Sequence, residues 1–562
     1  MNRPTTFRIT LVLAFFGLLY GFVLIRLFYW QVVRAEDLRD QSKLQSYESL
    51  LVDSARGEIL ASDGFPLATN KPTFLVYANP KQISDRQEVA DILGPLLERD
   101  PASISALLKQ DLFWVRLKSQ IDGDTRDEIQ KLDIPGIGFQ QESIRLYPEA
   151  SMAAHMVGFL GKTEQGEDRG YFGVEGYYNE QLKGRPGRLY VVKDALGNPV
   201  ISDVREEKKI DGRALTLTID RAVQFIADRE LKEGVARYQA EGGSVIILES
   251  KTGKILAASS VPDFDPQNYY EFDPDSYRSP IIASLYEPGS TFKVLVMAAG
   301  INEKVVKPDT RCNTCDKPVE ISGYKIKTWN DKYYPNTTMT EVIQHSDNTG
   351  MVYVAQKLGQ EKFIQYLDKF GIGSLTGIDV QGESSGIIRD RETWLPIDLA
   401  TASFGQGISI TPVQLVAAVN AIANEGKILK PHVVSSIMTE KGKTITIVPE
   451  VTSEPITKTT SEVMTWMMVN SVEKGESQWT KLPGYRVAGK TGTAQIPVAG
   501  HYDPTKTIAS FVGFFPADDP KVTMLVLVDR PKTSIYGSET AAPIFFDIAR
   551  NLVNYYNVKP NF

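Results

Sequence analysis

The sequence predicts one N-terminal membrane-spanning helix, then a β-rich domain, then an α/β domain in which an antiparallel sheet lies beside a helical lobe. An uncharged apolar run occupies residues 9–25. Short strand-like segments separated by turn residues fill the region 30–210. Beyond residue 211, strand patterns stand at both ends of the segment with helical patterns between them. Strands so far apart in the chain are expected to form one sheet.

Bulk composition limits the classes of function. The chain has 562 residues, about three or four domains by length, and a net charge of −7. It has no basic block, so we expect no nucleic-acid partner. Its 4 histidines show no ligand spacing, so we predict no metal site, and no cofactor is expected. Hydrophobic residues make up 42% of the chain, an ordinary value for a globular protein.

The N-terminal apolar run is predicted to be an uncleaved membrane anchor over residues 9–29, preceded by a short cytoplasmic tail, residues 1–8. The run is long enough to cross a bilayer, and Tyr29 and Trp30 suit the far interface. A cleavable signal peptide is the alternative, but no A-x-A-like site follows. Arginines stand on both sides of the run, so the function deduced below, more than the charge, places the rest of the chain outside the cytoplasm.

Residues 30–210 are predicted to form a β-rich pedestal. Arg56–Leu60 and Pro66–Ala68 indicate two strands joined by a tight turn, and Glu88–Leu97 and Ser103–Lys109 indicate short helices. Nothing in this region groups a nucleophile with a base. We therefore interpret it as a scaffold that raises the next domain off the membrane or holds partners.

Residues 211–562 are predicted to form the catalytic domain. A strand over residues 215–219 is expected to end at Asp220, which caps the helix that follows. Two strands that form a hairpin, two later strands and two flanking helices are expected to build the sheet and its cover: Ser244–Leu248, Ile255–Ala258, Thr507–Phe514, Val522–Val528, Arg221–Ala240 and Ala541–Asn554. The helical sequence between them forms a second lobe. A cleft between sheet and lobe is the expected place for an active site.

A first motif, Ser290-Thr-Phe-Lys293, opens an apolar run that suits a buried helix. Residues three apart on a helix share a face. Because burial lowers the pKa of an ammonium group, Lys293 is a candidate base for the Ser290 hydroxyl. The alternative is a helix cap followed by a surface lysine.

The second motif is Ser346-Asp-Asn348. Its functional interpretation is that Ser346 relays a proton to a leaving amine and that Asn348 forms a hydrogen bond with a substrate amide. Its alternative interpretation is a polar turn that caps the helix beginning near Met351.

A third motif, Lys490-Thr491-Gly492-Thr493, is predicted to lie on a strand. Gly492 would allow another backbone to approach closely, so that a peptide substrate pairs along the strand. Lys490 and Thr491 are candidates to hold a carboxylate or steer a proton, and the Thr493 N–H is a candidate oxyanion donor. The alternative is an edge strand protected by a lysine.

Each motif is weak alone, but the set in this order is the signature of β-lactamases and penicillin-binding proteins. The chain resembles a class B penicillin-binding protein, with an anchor, a pedestal and a lone transpeptidase domain. Three segments resemble the family's pedestal, or dimerisation, module: Arg56-Gly57, Arg145-Leu-Tyr-Pro148 and Gly173-Val-Glu175. Two further segments resemble its transpeptidase domain: Ser403-Phe-Gly-Gln-Gly407 and Thr411-Pro-Val-Gln-Leu415. Glu287 and the Ser403-Phe404 pair favour the division or sporulation branch over the elongation branch.

The resemblance implies a peptidoglycan D,D-transpeptidase of septal cell-wall synthesis. Ser290 would attack the carbonyl between the terminal D-alanines of a stem peptide while Lys293 takes its proton. Ser346 would protonate the departing D-alanine, and an amine of a neighbouring stem peptide would receive the acyl group. Penicillins would acylate Ser290 and remain there.

The resemblance also implies partners: lipid-linked or nascent peptidoglycan, a membrane glycan polymerase of the SEDS type, and division proteins. It implies a single-pass protein of the cytoplasmic membrane with an extracytoplasmic catalytic domain. A β-lactamase or β-lactam sensor is a rival class, but residues 349–489 lack the Glu-x-x-x-Asn spacing of a class A lactamase. A non-catalytic division scaffold is a second rival.

Cys312 and Cys315 are the two cysteines of the chain. They form one C-x-x-C, which predicts a disulfide loop outside the cytoplasm or a redox switch. A single pair without a second one is weak evidence for zinc.

Overall fold

The computed structural model describes residues 3–38, 47–193, 199–498 and 501–560. The chain divides into two compact units. One consists of Met1–Ala55 and Gly184–Asp211, and the other of Arg56–Lys183 and Gly212–Phe562. Each unit is described separately.

The strands of the described residues, in chain order, are β1 Tyr47–Val52, β2 Ile59–Leu60, β3 Pro66–Ala78, β4 Val115–Ile121, β5 Ile137–Leu146, β6 Phe159–Lys162, β7 Asp168–Tyr171, β8 Gly187–Lys193, β9 Pro199–Glu207, β10 Leu215–Leu217, β11 Gly242–Glu249, β12 Ile255–Val261, β13 Val319–Ile321, β14 Tyr324–Ile326, β15 Ile387–Ile388, β16 Ile408–Ser409, β17 Ile428–Leu429, β18 Val434–Met438, β19 Thr444–Thr446, β20 Val451–Ser453, β21 Ala488–Val498, β22 His501–Phe515 and β23 Val522–Asp529.

The α-helices of the same residues are α1 Arg3–Phe28, α2 Arg86–Leu96, α3 Pro101–Leu108, α4 Gly123–Lys131, α5 Ala154–Val157, α6 Gly173–Tyr177, α7 Asn179–Lys183, α8 Arg221–Arg237, α9 Pro280–Ala283, α10 Lys293–Asn302, α11 Met339–Gln344, α12 Asn348–Leu358, α13 Gln360–Lys369, α14 Pro396–Ala402, α15 Pro412–Ala423, α16 Lys458–Lys474 and α17 Ala541–Tyr555.

The first unit contains the apolar helix and a small sheet. Helix α1 continues into a π-helical turn, Tyr29–Val33, and Phe7–Val33 is long and apolar enough to cross a membrane. Its side chains are exposed, as expected of a helix whose surroundings are lipid. Strand β8 lies between β1 and β9, and both pairings are antiparallel.

In the second unit, a mixed sheet joins segments that are far apart in the chain. Its order is β19-β18-β10-β2-β3-β4, and β5 also pairs with β3. Strands β2 and β10 are parallel neighbours, with Leu215 opposite Ile59, and the Leu215 N–H donates to the Glu58 carbonyl at 2.8 Å. Strands from the predicted pedestal and from the predicted catalytic segment therefore share one hydrogen-bonded ladder.

The main sheet of this unit is antiparallel, with the order β12-β11-β23-β22-β21 among the described residues. Alternate side chains of β11 face opposite sides. Val245 and Ile247 belong to one core cluster with residues of α8 and α17. Ile246 and Leu248 belong to another cluster with residues of the helical lobe. Both faces are covered, which explains why β11 and β23 are apolar along nearly their whole length.

The helical lobe is centred on two apolar helices. Every residue of α15 is buried, and α10 is buried over Lys293–Gly300. Asp220 caps α8, as predicted, and Thr411 caps α15 in a capping box. This architecture, an antiparallel sheet with a helical lobe behind a β-containing segment, confirms the predicted fold class.

Several bounds differ from the expected ones for local reasons. Helix α8 ends at Arg237, not Ala240, because Gln239 adopts a left-handed conformation with φ 51°. The strand expected over residues 215–219 is only Leu215–Leu217. Cys312 and Cys315 are joined by a disulfide bond, and both are fully buried.

A buried ion cluster holds together three of the motifs singled out in the sequence. Arg56 Nε donates to Glu175 Oε2 at 2.7 Å, and Arg145 Nε donates to Glu175 Oε1 at 2.8 Å. The Glu175 side chain is fully buried. Burial would raise the pKa of Glu175, but Arg145 and Arg56 outweigh it and hold that pKa below its usual value. The carboxylate is therefore the charge that both guanidinium groups require.

We predict that Glu175→Gln lowers the free energy of unfolding by about 3–5 kcal/mol, because it leaves two buried guanidinium groups without their counter-charge. Urea unfolding of the detergent-solubilised protein measures it. Glu164→Gln, at an exposed position of the same unit, is the matched control and should stay close to wild type. Equal stability of the two variants would contradict the prediction.

Candidate active site

A cleft of about 760 Å³ lies between the edge strand β21 and the helical lobe. Five of the residues predicted from sequence line it, and they come from three distant parts of the chain: Ser290, Ser346, Asn348, Thr491 and Thr493. The two lysines, Lys293 and Lys490, lie beneath this lining and are almost fully buried. The structure therefore brings the three motifs to one place.

Ser290 lies on a 3₁₀ turn, Gly289–Phe292, that leads directly into α10. Side chains three apart eclipse on a 3₁₀ turn, so Ser290 and Lys293 project on the same side. Gly289 has φ 56°, a conformation that favours glycine, and its N–H donates to the Gly405 carbonyl at 3.0 Å. The turn is thus fixed by a backbone contact with the Ser403–Gly407 segment.

Lys293 is held by the Ser346–Asn348 turn. Its Nζ donates to the Ser346 carbonyl at 2.6 Å and to Asn348 Oδ1 at 2.7 Å, and it lies 3.3 Å from Ser346 Oγ. Within the described part of the chain, Ser290 Oγ makes no hydrogen bond. Lys293 is thus already positioned on Ser346, while the Ser290 hydroxyl is free to turn into the cleft.

The ammonium group of Lys293 is easy to deprotonate. Burial is the largest cause, and the nearby charge of Lys490 adds to it, while Glu476 and Asp347 act in the opposite direction. Together they lower the pKa of Lys293 to about 7. A neutral amine is therefore accessible near neutral pH, which is what a general base requires.

The Ser346 turn serves two purposes. Ser346 has φ 55°, a backbone conformation that is costly for a residue with a side chain and that clusters at functional sites. Asp347 caps α12, accepting from the backbone N–H of Thr349 and Gly350. The capping interpretation of this motif is correct for Asp347, and it coexists with the placement of Ser346 and Asn348 in the cleft.

Strand β21 lies at the edge of the sheet order given above, and Gly492 brings it close to the turn that carries Ser290. A Cβ on Gly492 would overlap Ser510 Oγ of the neighbouring strand β22, and it would lie 2.8 Å from Thr291 Cγ2 and 3.4 Å from the Pro288 carbonyl oxygen. The glycine thus makes room for both the Ser510 side chain and the Ser290 turn. The sequence had predicted close approach by a substrate backbone.

Polar groups near the motifs surround the cleft, and the sequence did not mark them as site residues. Thr491 Oγ1 donates to Glu476 Oε2 at 2.6 Å. Tyr502 hydroxyl donates to Glu287 Oε2 at 3.1 Å, and the Gly407 N–H donates to Glu287 Oε1 at 3.0 Å. The only sequence signal for these side chains is their short distance from a motif.

An aromatic pair and a hairpin form the outer wall. The rings of Trp329 and Tyr536 meet edge to face with centroids 5.5 Å apart, and Trp329 Nε1 donates to the His345 carbonyl. The β13–β14 hairpin adds Tyr324 and Lys325. No periodicity in the sequence marks this segment as part of a site.

Two family models match the chain. The penicillin binding protein transpeptidase domain covers residues 243–550, and the penicillin-binding protein dimerisation domain covers residues 51–217. The matched transpeptidase segment contains all three motifs. The domain boundaries that we predict remain predictions.

Similar proteins span almost the whole chain. Stage V sporulation protein D of Bacillus subtilis is 36% identical, over 98% of this chain and 86% of that protein. Peptidoglycan D,D-transpeptidase FtsI of Escherichia coli is 30% identical, over 99% of this chain and 93% of that protein. The solved structure of penicillin binding protein 2X from Streptococcus thermophilus superposes with a TM-score of 0.77 at 25% identity, covering 91% of this chain and 80% of that one.

These matches confirm the resemblance predicted from the motifs. The extent of the two domain matches and the identity to full-length relatives leave no large segment of the chain unaccounted for. The chain therefore belongs to the class B penicillin-binding proteins, within the branch that includes the sporulation protein and FtsI.

Proposed function

We propose that the protein is a peptidoglycan D,D-transpeptidase that crosslinks stem peptides through an acyl-enzyme on Ser290. The observation that carries this proposal is the convergence of Ser290, Lys293, Ser346 and Lys490 on one cleft, with the pKa of Lys293 lowered to about 7. The relatives that carry the name D,D-transpeptidase agree with it.

Acylation starts with the Ser290 hydroxyl. As Ser290 Oγ attacks the carbonyl carbon between the two terminal D-alanines, its proton moves to the neutral amine of Lys293. The resulting oxyanion is stabilised by backbone N–H groups, of which Thr493 supplies one. Lys490 and Thr491 lie on the strand that faces the terminal carboxylate. Asn348 is the partner of a substrate amide.

Collapse of the tetrahedral intermediate breaks the C–N bond and releases D-alanine. The leaving nitrogen needs a proton, and Ser346 is placed to pass it, since its Oγ lies 3.3 Å from Lys293 Nζ. In the second half, an amine of a neighbouring stem peptide attacks the ester carbonyl. It forms the new amide and returns the proton through the same groups to Ser290.

A β-lactam enters the same path but keeps its leaving nitrogen tethered to the acyl group, so Ser290 remains blocked. The persistence of this adduct distinguishes a transpeptidase from a β-lactamase and from a non-catalytic scaffold. A β-lactamase would release the hydrolysed drug and turn over, and a non-catalytic scaffold would form no adduct at all.

We further propose a septal role, with residues 9–29 as a single-pass anchor, residues 1–8 in the cytoplasm and the catalytic cleft outside it. The similarity to a sporulation protein and to FtsI supports the septal role. Substrate chemistry supports the orientation, because crosslinking of peptidoglycan takes place outside the cytoplasm. A SEDS-type polymerase would supply the glycan strands. The anchor and the residue 30–210 segment are the candidate surfaces for contact with this polymerase. Division proteins are further candidate partners.

Ser290→Ala should abolish labelling by fluorescent penicillin and leave the fold intact, because it removes the one hydroxyl that can form the ester. Gel fluorescence and intact mass before and after benzylpenicillin measure the adduct. Ser284→Ala, at an exposed serine a few positions earlier, is the control and should label as wild type does.

Persistent labelling of Ser290→Ala would refute the assignment. Rapid loss of the wild-type adduct with release of hydrolysed drug would indicate a β-lactamase instead. Peptide mapping of the adduct identifies the modified residue directly.

The second-order rate of acylation by penicillin should fall about tenfold per pH unit as the pH drops below about 7, because only the neutral amine of Lys293 accepts the proton. Above that pH the rate should level off. Stopped-flow labelling from about pH 5 to about pH 9 measures the profile.

Lys304→Ala, which removes an exposed lysine just beyond helix α10, should leave the pH profile of acylation unchanged. Lys293→Ala should reduce the rate to near background at every pH. A flat wild-type profile would show that Lys293 is not the base.

A further inference from the structure

One wall of the cleft, formed by β14 and the residues that follow it, carries positive charge. Lys325 and Lys327 both line the cleft, and Ile326 between them is buried. Because successive side chains of an extended chain point to opposite sides, both lysines project away from the core and toward the cleft. Among the described residues that line the cleft, Glu476 is the one acidic residue, and its carboxylate accepts a hydrogen bond from Thr491 Oγ1 at 2.6 Å.

This wall is attached to the second motif by two hydrogen bonds. Asn348 Nδ2 donates to the Lys327 carbonyl at 2.9 Å, and Trp329 Nε1 donates to the His345 carbonyl at 3.3 Å. Thr328, between these two attachment points, is buried. The lysines of the wall therefore have a fixed place beside Asn348, which is the proposed partner of a substrate amide.

The two lysines differ in their charge partners. Lys327 Nζ lies 3.4 Å from Asp331 Oδ1, which compensates part of its charge. Glu320 is directly opposite Lys325 in the β13–β14 ladder, but within the described part of the chain the Lys325 ammonium group makes no ion pair or hydrogen bond. Lys325 thus leaves a positive charge at the cleft that a ligand can use.

The spacing along the wall indicates which part of a substrate meets Lys325. Lys325 lies two residues before Lys327, a distance of about 7 Å along an extended chain. A substrate peptide advances about 3.4 Å per residue. A stem peptide that binds Asn348 through an amide and continues along this wall therefore brings a group one or two residues away from that amide close to Lys325. The terminal carboxylate is assigned to Lys490 and Thr491 on β21, so Lys325 calls for a different anion.

We propose that Lys325 is a specificity-determining residue that binds a second carboxylate of the donor stem peptide, carried by the second or third residue of that peptide. This inference rests on the proposed transpeptidase function. Two groups share this chemistry: the α-carboxylate of a γ-linked D-glutamyl residue and the side-chain carboxylate of a diaminopimelyl residue. Amidation of the bound group would remove its charge and therefore the preference.

Three acyl donors with the same thioglycolate leaving group distinguish the two sources. The reference, L-alanyl-γ-D-isoglutaminyl-L-lysyl-D-alanyl thioglycolate, has neither carboxylate. The second donor has γ-D-glutamyl in place of γ-D-isoglutaminyl, and the third has meso-diaminopimelyl in place of L-lysyl. Release of thiol by the detergent-solubilised full-length protein gives kcat/KM for each donor.

In wild type, kcat/KM for at least one carboxylate donor should exceed that of the reference about two- to fivefold, the gain typical of a solvent-exposed ion pair. The donor that shows the gain identifies the residue that is bound. Lys325→Gln should abolish the gain and leave kcat/KM of the reference unchanged, whereas Lys325→Arg should retain the gain. Higher ionic strength should reduce the gain in wild type, because salt screens exposed charges.

Lys332→Gln removes an exposed lysine that does not line the cleft, and it should leave all three values as in wild type. If Lys325→Gln fails to form a benzylpenicillin adduct, Lys325→Met is measured in its place. Equal kcat/KM for the three donors in wild type, or a gain that persists in Lys325→Gln, overturns the role of Lys325. A wild-type protein that benzylpenicillin does not acylate at Ser290 overturns the transpeptidase proposal instead.

Discussion

The arrangement of the catalytic unit depends on keeping the Lys293 side chain out of contact with water. Lys293 is fully buried at the start of an apolar helix, where an ammonium group is costly unless it is hydrogen-bonded or neutral. The Ser346 carbonyl and the Asn348 side chain supply the hydrogen bonds. The surrounding core supplies the desolvation, and the second buried lysine, Lys490, adds repulsion. A core that loosened around this side chain would return it to an ordinary, permanently charged state.

Desolvation of this kind requires that segments far apart in the chain be brought together accurately. Helix α10 holds the Ser290 turn against the sheet edge, and Gly492 lacks the side chain that would keep them apart. Gly289 and Gly405 join the turn to the lobe through a backbone hydrogen bond. The strained Ser346 backbone is held by the Asp347 cap of α12. The apolar cover on both faces of the main sheet makes these contacts rigid, so the cleft is formed before any substrate arrives.

The sequence predicted the elements with strong periodicity and the residues that belong to ordered motifs. The β11–β12 hairpin, the closing helix α17 and the capping aspartate Asp220 were all foreseeable, because alternation, amphipathicity and caps are local signals. Ser290 and Lys293 could be paired because one helical turn sets their spacing. Glu476, Tyr502 and Trp329 could not be found, since tertiary contacts bring them to the cleft. Glu476 and Trp329 lie in turns, and Tyr502 lies near the start of β22. The sharing of a ladder by β2 and β10 was equally hidden, because nothing local specifies which distant strand a short strand will join.

That shared ladder has a consequence for how the molecule can be divided. Strand β2 pairs with one side of β10, and a fragment starting near residue 212 would lack it. The exposed edge of β10 would then present unpaired backbone amide and carbonyl groups to other protein molecules, which promotes aggregation. Such a fragment would also lose the parallel partner of Leu215. Arg56–Lys183 and Gly212–Phe562 therefore form one compact unit, and removing either segment would leave a strand of the other without its partner.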